Sequence, residues 1–127
     1  AATTVIRGGK GDDRLKGTAK ADSIRARAGA DRIKARGGAD CVRGGTGRDA
    51  IRAGGKADLI KAGGGADRAN GGRGEDKIKT GTGDDVIRAA DGARDVVSCG
   101  AGKDTAIVDR RDRVAQSCER VRALIIE

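Results

Sequence analysis

The chain has 127 residues, of which 36% are charged and 36% hydrophobic, with 27 Lys and Arg against 19 Asp and Glu, a net charge of +8 and no aromatic side chain. These proportions exclude a core of large side chains and lie near the disordered class, where burial is too small to offset the entropy of ordering the chain. No apolar run is long enough to span a bilayer, and there is no His, no CxxC pair, no GxxxxGK[ST] loop and no nucleophile–base arrangement; a membrane span, a zinc centre and an enzyme are therefore not expected.

From the first residue, Ala-Ala-Thr-Thr has neither an initiator Met nor a charged-then-apolar leader, a start compatible with the mature form of a secreted domain. Val5-Ile6-Arg7 then has the look of a short strand, with Thr4 where later units carry Asp, so residues 1–7 read as an N-terminal half-repeat cap.

Residues 8–88 divide without remainder into nine nonapeptides: GGKGDDRLK, GTAKADSIR, ARAGADRIK, ARGGADCVR, GGTGRDAIR, AGGKADLIK, AGGGADRAN, GGRGEDKIK and TGTGDDVIR. The sixth position is Asp every time: Asp13, Asp22, Asp31, Asp40, Asp49, Asp58, Asp67, Asp76 and Asp85. Position 8 is Leu15, Ile24, Ile33, Val42, Ile51, Ile60, Ile78 or Ile87, with Ala69 the exception, and position 9 is basic except at Asn70. Gly is frequent at positions 1, 2 and 4 and opens backbone angles closed to other residues, so each unit reads as a turn followed by a three-residue strand. Alternation along the strand points position 8 inward and positions 7 and 9 outward. One unit cannot bury its single aliphatic. Stacked units can, and stacking also pairs the strand backbones.

After residue 88 the register slips by one, and Asp91 to Ser98 and then Gly100 to Asp104 form degenerate units in which Asp95 and Asp104 extend the Asp series. Residues 105–127 lose the repeat and, with Leu124-Ile125-Ile126, read as a C-terminal cap that covers apolar side chains and open strand edges. The third section of the chain is thus 89–127. Cys99 and Cys118 flank the cap, and a bridge between them would staple it to the stack in an oxidising compartment; free thiols are the alternative. Cys41 occupies an outward position about 14 Å, or three strand separations, from that end, too far for a bridge. Phe, Trp, Tyr, His, Pro and Met are all absent, which suits such a repeat and also a simplified, consensus-like sequence.

The register over residues 8–88 resembles the repeats-in-toxin, or hemolysin-type, calcium-binding nonapeptides written GGxGxDxUx, with U an aliphatic. The resemblance implies an all-β fold, a right-handed parallel β-roll in which two nonapeptides make one turn and several calcium ions lie between turns stacked on the same edge. It implies Asp side chains and turn carbonyls as ligands, as suits a hard cation that takes six to eight oxygens. Carried onto this chain, Asp13, Asp31, Asp49, Asp67 and Asp85 stack on one edge, and Asp22, Asp40, Asp58 and Asp76 on the other. The turns that match best are 8–13, 44–49, 71–76 and 80–85, which add Gly9, Gly11, Gly45, Gly47, Gly72, Gly74, Gly81 and Gly83 to the ligand set. Lys20 and Lys56 replace Gly at position 4, and Arg27 and Arg36 replace it at position 2. A lysine there either competes with the ion or snorkels to solvent. The metal-free alternative for the Asp series is that each carboxylate caps its own turn through backbone N–H groups.

Position 9 places Lys16, Lys34, Arg52 and Arg88 on one sheet and Arg25, Arg43, Lys61 and Lys79 on the other, with Arg14, Arg32, Arg68 and Lys77 added at position 7. Such columns are either a solvated face that opposes edge pairing or a surface for a polyanion such as nucleic acid or acidic polysaccharide. No aromatic is present to stack on a base. The expectation is a non-enzymatic calcium-binding module, extracellular or on a cell surface, whose folding or stability is coupled to calcium; the alternative is a polyanion-binding surface protein whose Asp residues only cap turns. Because bases outnumber acids, partial order without calcium is also expected.

Overall fold

The aliphatic at position 8 sits in the middle of a short strand in almost every unit, and the strands stack with identical repeat positions side by side. The structure is a computed structural model that describes residues 4–89, 94–109, 112–114, 118 and 120–123. One sheet contains β1 (Thr4–Arg7), β3 (Asp22–Arg25), β5 (Cys41–Arg43), β7 (Leu59–Lys61), β9 (Lys77–Lys79), β11 (Val96–Ser98) and β13 (Arg113–Val114), in that order. The other contains β2 (Arg14–Lys16), β4 (Arg32–Lys34), β6 (Ala50–Arg52), β8 (Arg68–Asn70), β10 (Val86–Arg88), β12 (Thr105–Val108) and β14 (Arg120–Ala123). Successive strands alternate between the sheets, every neighbouring pair is parallel, and among the described residues there is no helix. This is a parallel β-roll.

Register follows the repeat: Ile24 lies beside Val42, and Leu15 beside Ile33. The one-residue slip after residue 88 is absorbed between β10 and β11, because Lys77 pairs with Val96 and Val86 with Thr105. Both sheets continue past residue 104, through β12, β13 and β14, where the sequence had suggested only a cap. The pattern there is Asp112-Arg113-Val114, a short form of the same Asp-x-aliphatic unit. The Leu124-Ile125-Ile126 cluster and Asp91-Gly92-Ala93 lie outside the described residues.

The interior is wider than one aliphatic per unit. Position 1 is also buried, as Ala26, Ala35, Ala53, Ala62 and Ala89, and the position-6 aspartates from Asp22 onward are buried beside it. Inter-strand pairing runs on into position 1, with the Ala26 N–H donating to the Arg43 carbonyl at 2.9 Å and the Ala35 N–H to the Arg52 carbonyl at 2.8 Å. The in–out alternation therefore spans five residues, positions 6 to 1, and puts Asp, aliphatic and Ala inside. Thr80 at position 1 satisfies its buried hydroxyl by donating to the Cys99 carbonyl at 2.9 Å.

Cys99 and Cys118 form a disulfide, with Cα atoms 5.0 Å apart, that ties position 1 of the sixth coil to the segment before β14. Cys41 is free and half-buried on the outer face of β5.

The turns need left-handed backbone at positions 2 and 4, and three bulky residues accept it: Arg27 (φ 72°), Arg36 (φ 71°) and Lys56 (φ 68°). That conformation costs a non-Gly residue roughly 1–2 kcal/mol, partly offset by the greater freedom glycine has when unfolded. Lys56→Gly is therefore expected to raise stability by about 0.5–1 kcal/mol in a denaturant titration, and an equal loss would show that the lysine side chain is itself a stabilising element.

Candidate metal centre

Each position-6 Asp from Asp31 onward is held by the coil stacked before it. The Asp22 N–H donates to Asp40 Oδ1 at 2.8 Å, the Asp31 N–H to Asp49 Oδ1 at 3.0 Å, the Asp40 N–H to Asp58 Oδ1 at 2.8 Å and the Asp49 N–H to Asp67 Oδ1 at 2.8 Å. The same bond joins Asp13 to Asp31, Asp58 to Asp76 and Asp67 to Asp85. It continues as Asp76 to Asp95 and Asp85 to Asp104, so the slipped units join the two columns in register. Asp112 extends one column further by accepting from the Asp95 N–H at 2.8 Å, a role that the loss of the nine-residue spacing concealed.

One carboxylate oxygen is thus committed to a neighbouring coil. The other is treated differently along the roll. Asp13 Oδ2 accepts from the Gly9 N–H at 2.8 Å, and Asp22 accepts from the Thr18 N–H at 2.6 Å and the Thr18 hydroxyl at 2.9 Å. These two turns are capped by their own aspartates. From the third turn onward, Oδ2 of Asp31, Asp40, Asp49, Asp58 and Asp67 is buried without a hydrogen bond. A buried carboxylate oxygen in that state costs more than an ordinary polar group unless something cationic meets it.

The electrostatics agree. Burial raises the carboxyl of Asp40 to about 6, those of Asp49, Asp58 and Asp85 to about 7 and that of Asp67 to about 8, and it also raises Asp31. The backbone N–H bonds oppose the shift, while aspartates of adjacent coils on the same edge add to it. The chain's many bases do not lower these carboxyls, neither those at outward positions 7 and 9 nor those in the turns.

Around the columns the turn backbones stack at very short range. A Cβ on Gly65 would collide with the carbonyl oxygen of Gly47, and one on Gly47 with that of Gly29. Of the glycines singled out from the sequence, Gly45, Gly47, Gly72, Gly74, Gly81 and Gly83 have positive φ, whereas Gly9 and Gly11 in the terminal turn do not. The turn 8–13 therefore matches the repeat in sequence but has a different backbone, since no earlier described coil packs against it. Among the described residues, no three Cys, Asp or Glu side chains converge on one point. A cation in these turns would draw on one or two carboxylates and take its remaining ligands from backbone carbonyls. The donor set is oxygen alone, which fits a hard cation and does not fit zinc.

The two edges are not equivalent. Position 4 is Gly in every turn of the edge carrying Asp13, Asp31, Asp49, Asp67, Asp85 and Asp104, as Gly11, Gly29, Gly47, Gly65, Gly83 and Gly102. On the other edge, Lys20 and Lys56 alternate with Gly38 and Gly74, so each of the three gaps from turn 17–22 to turn 71–76 has a lysine on one side. Both lysines are exposed.

A family model described as the RTX calcium-binding nonapeptide repeat (4 copies) matches residues 7–42, 43–78 and 70–106. No curated protein sequence matches the chain.

Proposed function

This chain belongs to the RTX calcium-binding nonapeptide-repeat family, and we propose that it is a non-enzymatic β-roll module whose stability is coupled to calcium held between stacked turns. The observation that carries this reading is the run of buried Oδ2 atoms on Asp31, Asp40, Asp49, Asp58 and Asp67 that have no hydrogen bond. Bound calcium would supply the positive charge that these carboxylates otherwise lack. Asp31, Asp49, Asp67, Asp85 and Asp104, on the edge where position 4 is always Gly, are the principal ligands, with carbonyls of Gly45, Gly47, Gly81 and Gly83 beside them. On the other edge, Asp40, Asp58 and Asp76, with Gly72 and Gly74, form weaker sites because a lysine flanks the gaps between them, and Asp95 continues the column. Asp13 and Asp22, already closed on their own turns, contribute least. The Cys99–Cys118 disulfide supports placement in an oxidising, extracellular compartment.

Calorimetric titration of the chelator-treated protein with calcium tests this. The double variant Asp49→Asn/Asp67→Asn is expected to remove more calcium sites than Asp40→Asn/Asp58→Asn, since Asn keeps the acceptor for the neighbouring N–H while removing the charge. Equal losses from the two pairs contradict the unequal edges. Absence of binding up to about 10 mM calcium, beyond the usual range of extracellular modules, contradicts the function itself.

A further inference from the structure

All outward positions 7 and 9 of the ten strands β1 to β10 lack a carboxylate, so both faces are cationic. Most of that charge is an even column, but it is interrupted on the sheet formed by β2, β4, β6, β8 and β10. There Ala50 lies in register between Arg32 and Arg68, leaving a gap in the position-7 column. Arg48, two residues before Ala50 in the chain, is the only basic position-5 residue in the nine nonapeptides. Arg32, Arg48, Ala50 and Arg68 line one hollow, floored on one side by Ala30. Asp12, Asp13, Arg14, Asp31 and Asp49 line the same hollow; Asp31 and Asp49 are buried, each with Oδ1 bonded to a backbone N–H of the neighbouring coil, Asp13 is bonded to the Gly9 N–H, and the Asp12 carboxylate is engaged by the Ala30 N–H at 2.8 Å. A second hollow adjoins across Ala50 and Arg68, where Asn70 breaks the position-9 column between Arg52 and Arg88.

Two departures from the repeat, Ala50 and Asn70, thus open space among guanidinium groups. Guanidinium presents a planar fork of donors that matches the oxygens of sulfate or phosphate, and several forks around one space give charge-assisted bonds that a flat row of lysines does not.

We propose that this arginine-walled hollow is a binding site for a tetrahedral oxyanion, the sulfate or phosphate ester group of a ligand, held by Arg32, Arg48 and Arg68 over Ala50. The test uses the intact protein in calcium-containing chloride buffer of fixed ionic strength. Inorganic sulfate, a heparin-derived hexasaccharide and phenyl phosphate are the probes, followed by amide chemical shifts and by calorimetry. Shifts centred on Ala50 are expected with all three, and the tighter of the two ester-bearing probes identifies the preferred ester. Arg32→Gln/Arg68→Gln is expected to weaken hexasaccharide binding about tenfold, while Lys61→Gln/Lys79→Gln, which removes the same charge from the opposite sheet, changes it less than about threefold. Ala50→Glu fills the hollow with a carboxylate and is expected to abolish binding, with Ala50→Ser, which leaves the hollow open, as its control for folding. Equal losses from the two double variants, shifts spread over both sheets, or unchanged binding by Ala50→Glu would each overturn the site in favour of diffuse charge.

Discussion

Gly65→Val is expected to destabilise the calcium-saturated roll by at least about 3 kcal/mol. Gly65 has φ 97°, a conformation in which a β-branched side chain is an outlier, and its Cβ would strike the Gly47 carbonyl of the adjacent coil. Neither conflict relaxes independently, because the colliding atom is backbone that is itself stacked on Gly29. Gly64→Val, one residue away, is the internal control. Gly64 lacks positive φ, and an added Cβ there would meet only the Thr82 hydroxyl at 3.3 Å, which can rotate aside, so its cost is expected to stay within about 1 kcal/mol. Thermal melts of the two variants decide the matter, and similar losses would mean that the turns are not packed at this distance.

A second large effect is expected from pH. A carboxyl whose folded pKa lies above its unfolded value of about 3.9 binds its proton more tightly when folded. Its contribution is therefore complete below about pH 4 and is lost as pH rises through the folded value. With Asp40 at about 6, Asp49, Asp58 and Asp85 at about 7 and Asp67 at about 8, the window of loss runs from about pH 4 to about pH 8. Because the raised carboxyls recur along both columns, the metal-free fold depends strongly on pH. Without calcium, the melting temperature is expected to fall steeply between about pH 5 and about pH 8, with unfolding at the upper end. Saturating calcium should flatten or reverse that slope, because the ion favours the deprotonated carboxylates. Asp49→Asn/Asp67→Asn should make the metal-free protein less sensitive to pH. A metal-free melting temperature that rises with pH would contradict this account of the buried columns.

Much of this architecture was legible because the nine-residue register is strict. Asp at every sixth position and an aliphatic at almost every eighth fixed the stacking, the inward and outward faces and the two Asp columns, including the continuation to Asp95 and Asp104. Three features were not legible, each for a physical reason. Position 1 read as a turn glycine, and its burial emerges only when inter-strand pairing is seen to run on from position 9, which makes Ala26, Ala35 and Ala53 core residues. The strands beyond residue 104 were hidden because their spacing is irregular, although Asp112-Arg113-Val114 keeps the local pattern. The turn 8–13 matched the repeat closely, yet left-handed glycines at positions 2 and 4 depend on an earlier stacked coil, and no earlier described coil lies against Gly9 and Gly11. The expectation of partial order without calcium came from counting 27 bases against 19 acids. Placement weakens it, because the bases face solvent while the aspartates face the interior, and total charge says little about a carboxylate that no base reaches.

The central claim is that calcium between stacked turns holds the roll together. Its most direct test is scanning calorimetry of the intact chain at about pH 7.5 in chelator, in magnesium and in calcium. One site filled at a hundred times its Kd contributes about 2.7 kcal/mol, so several sites should raise the melting temperature by more than about 10 °C in calcium, with magnesium close to chelator. The same melting temperature in calcium and in chelator would contradict the claim and leave the Asp columns as metal-free links between coils.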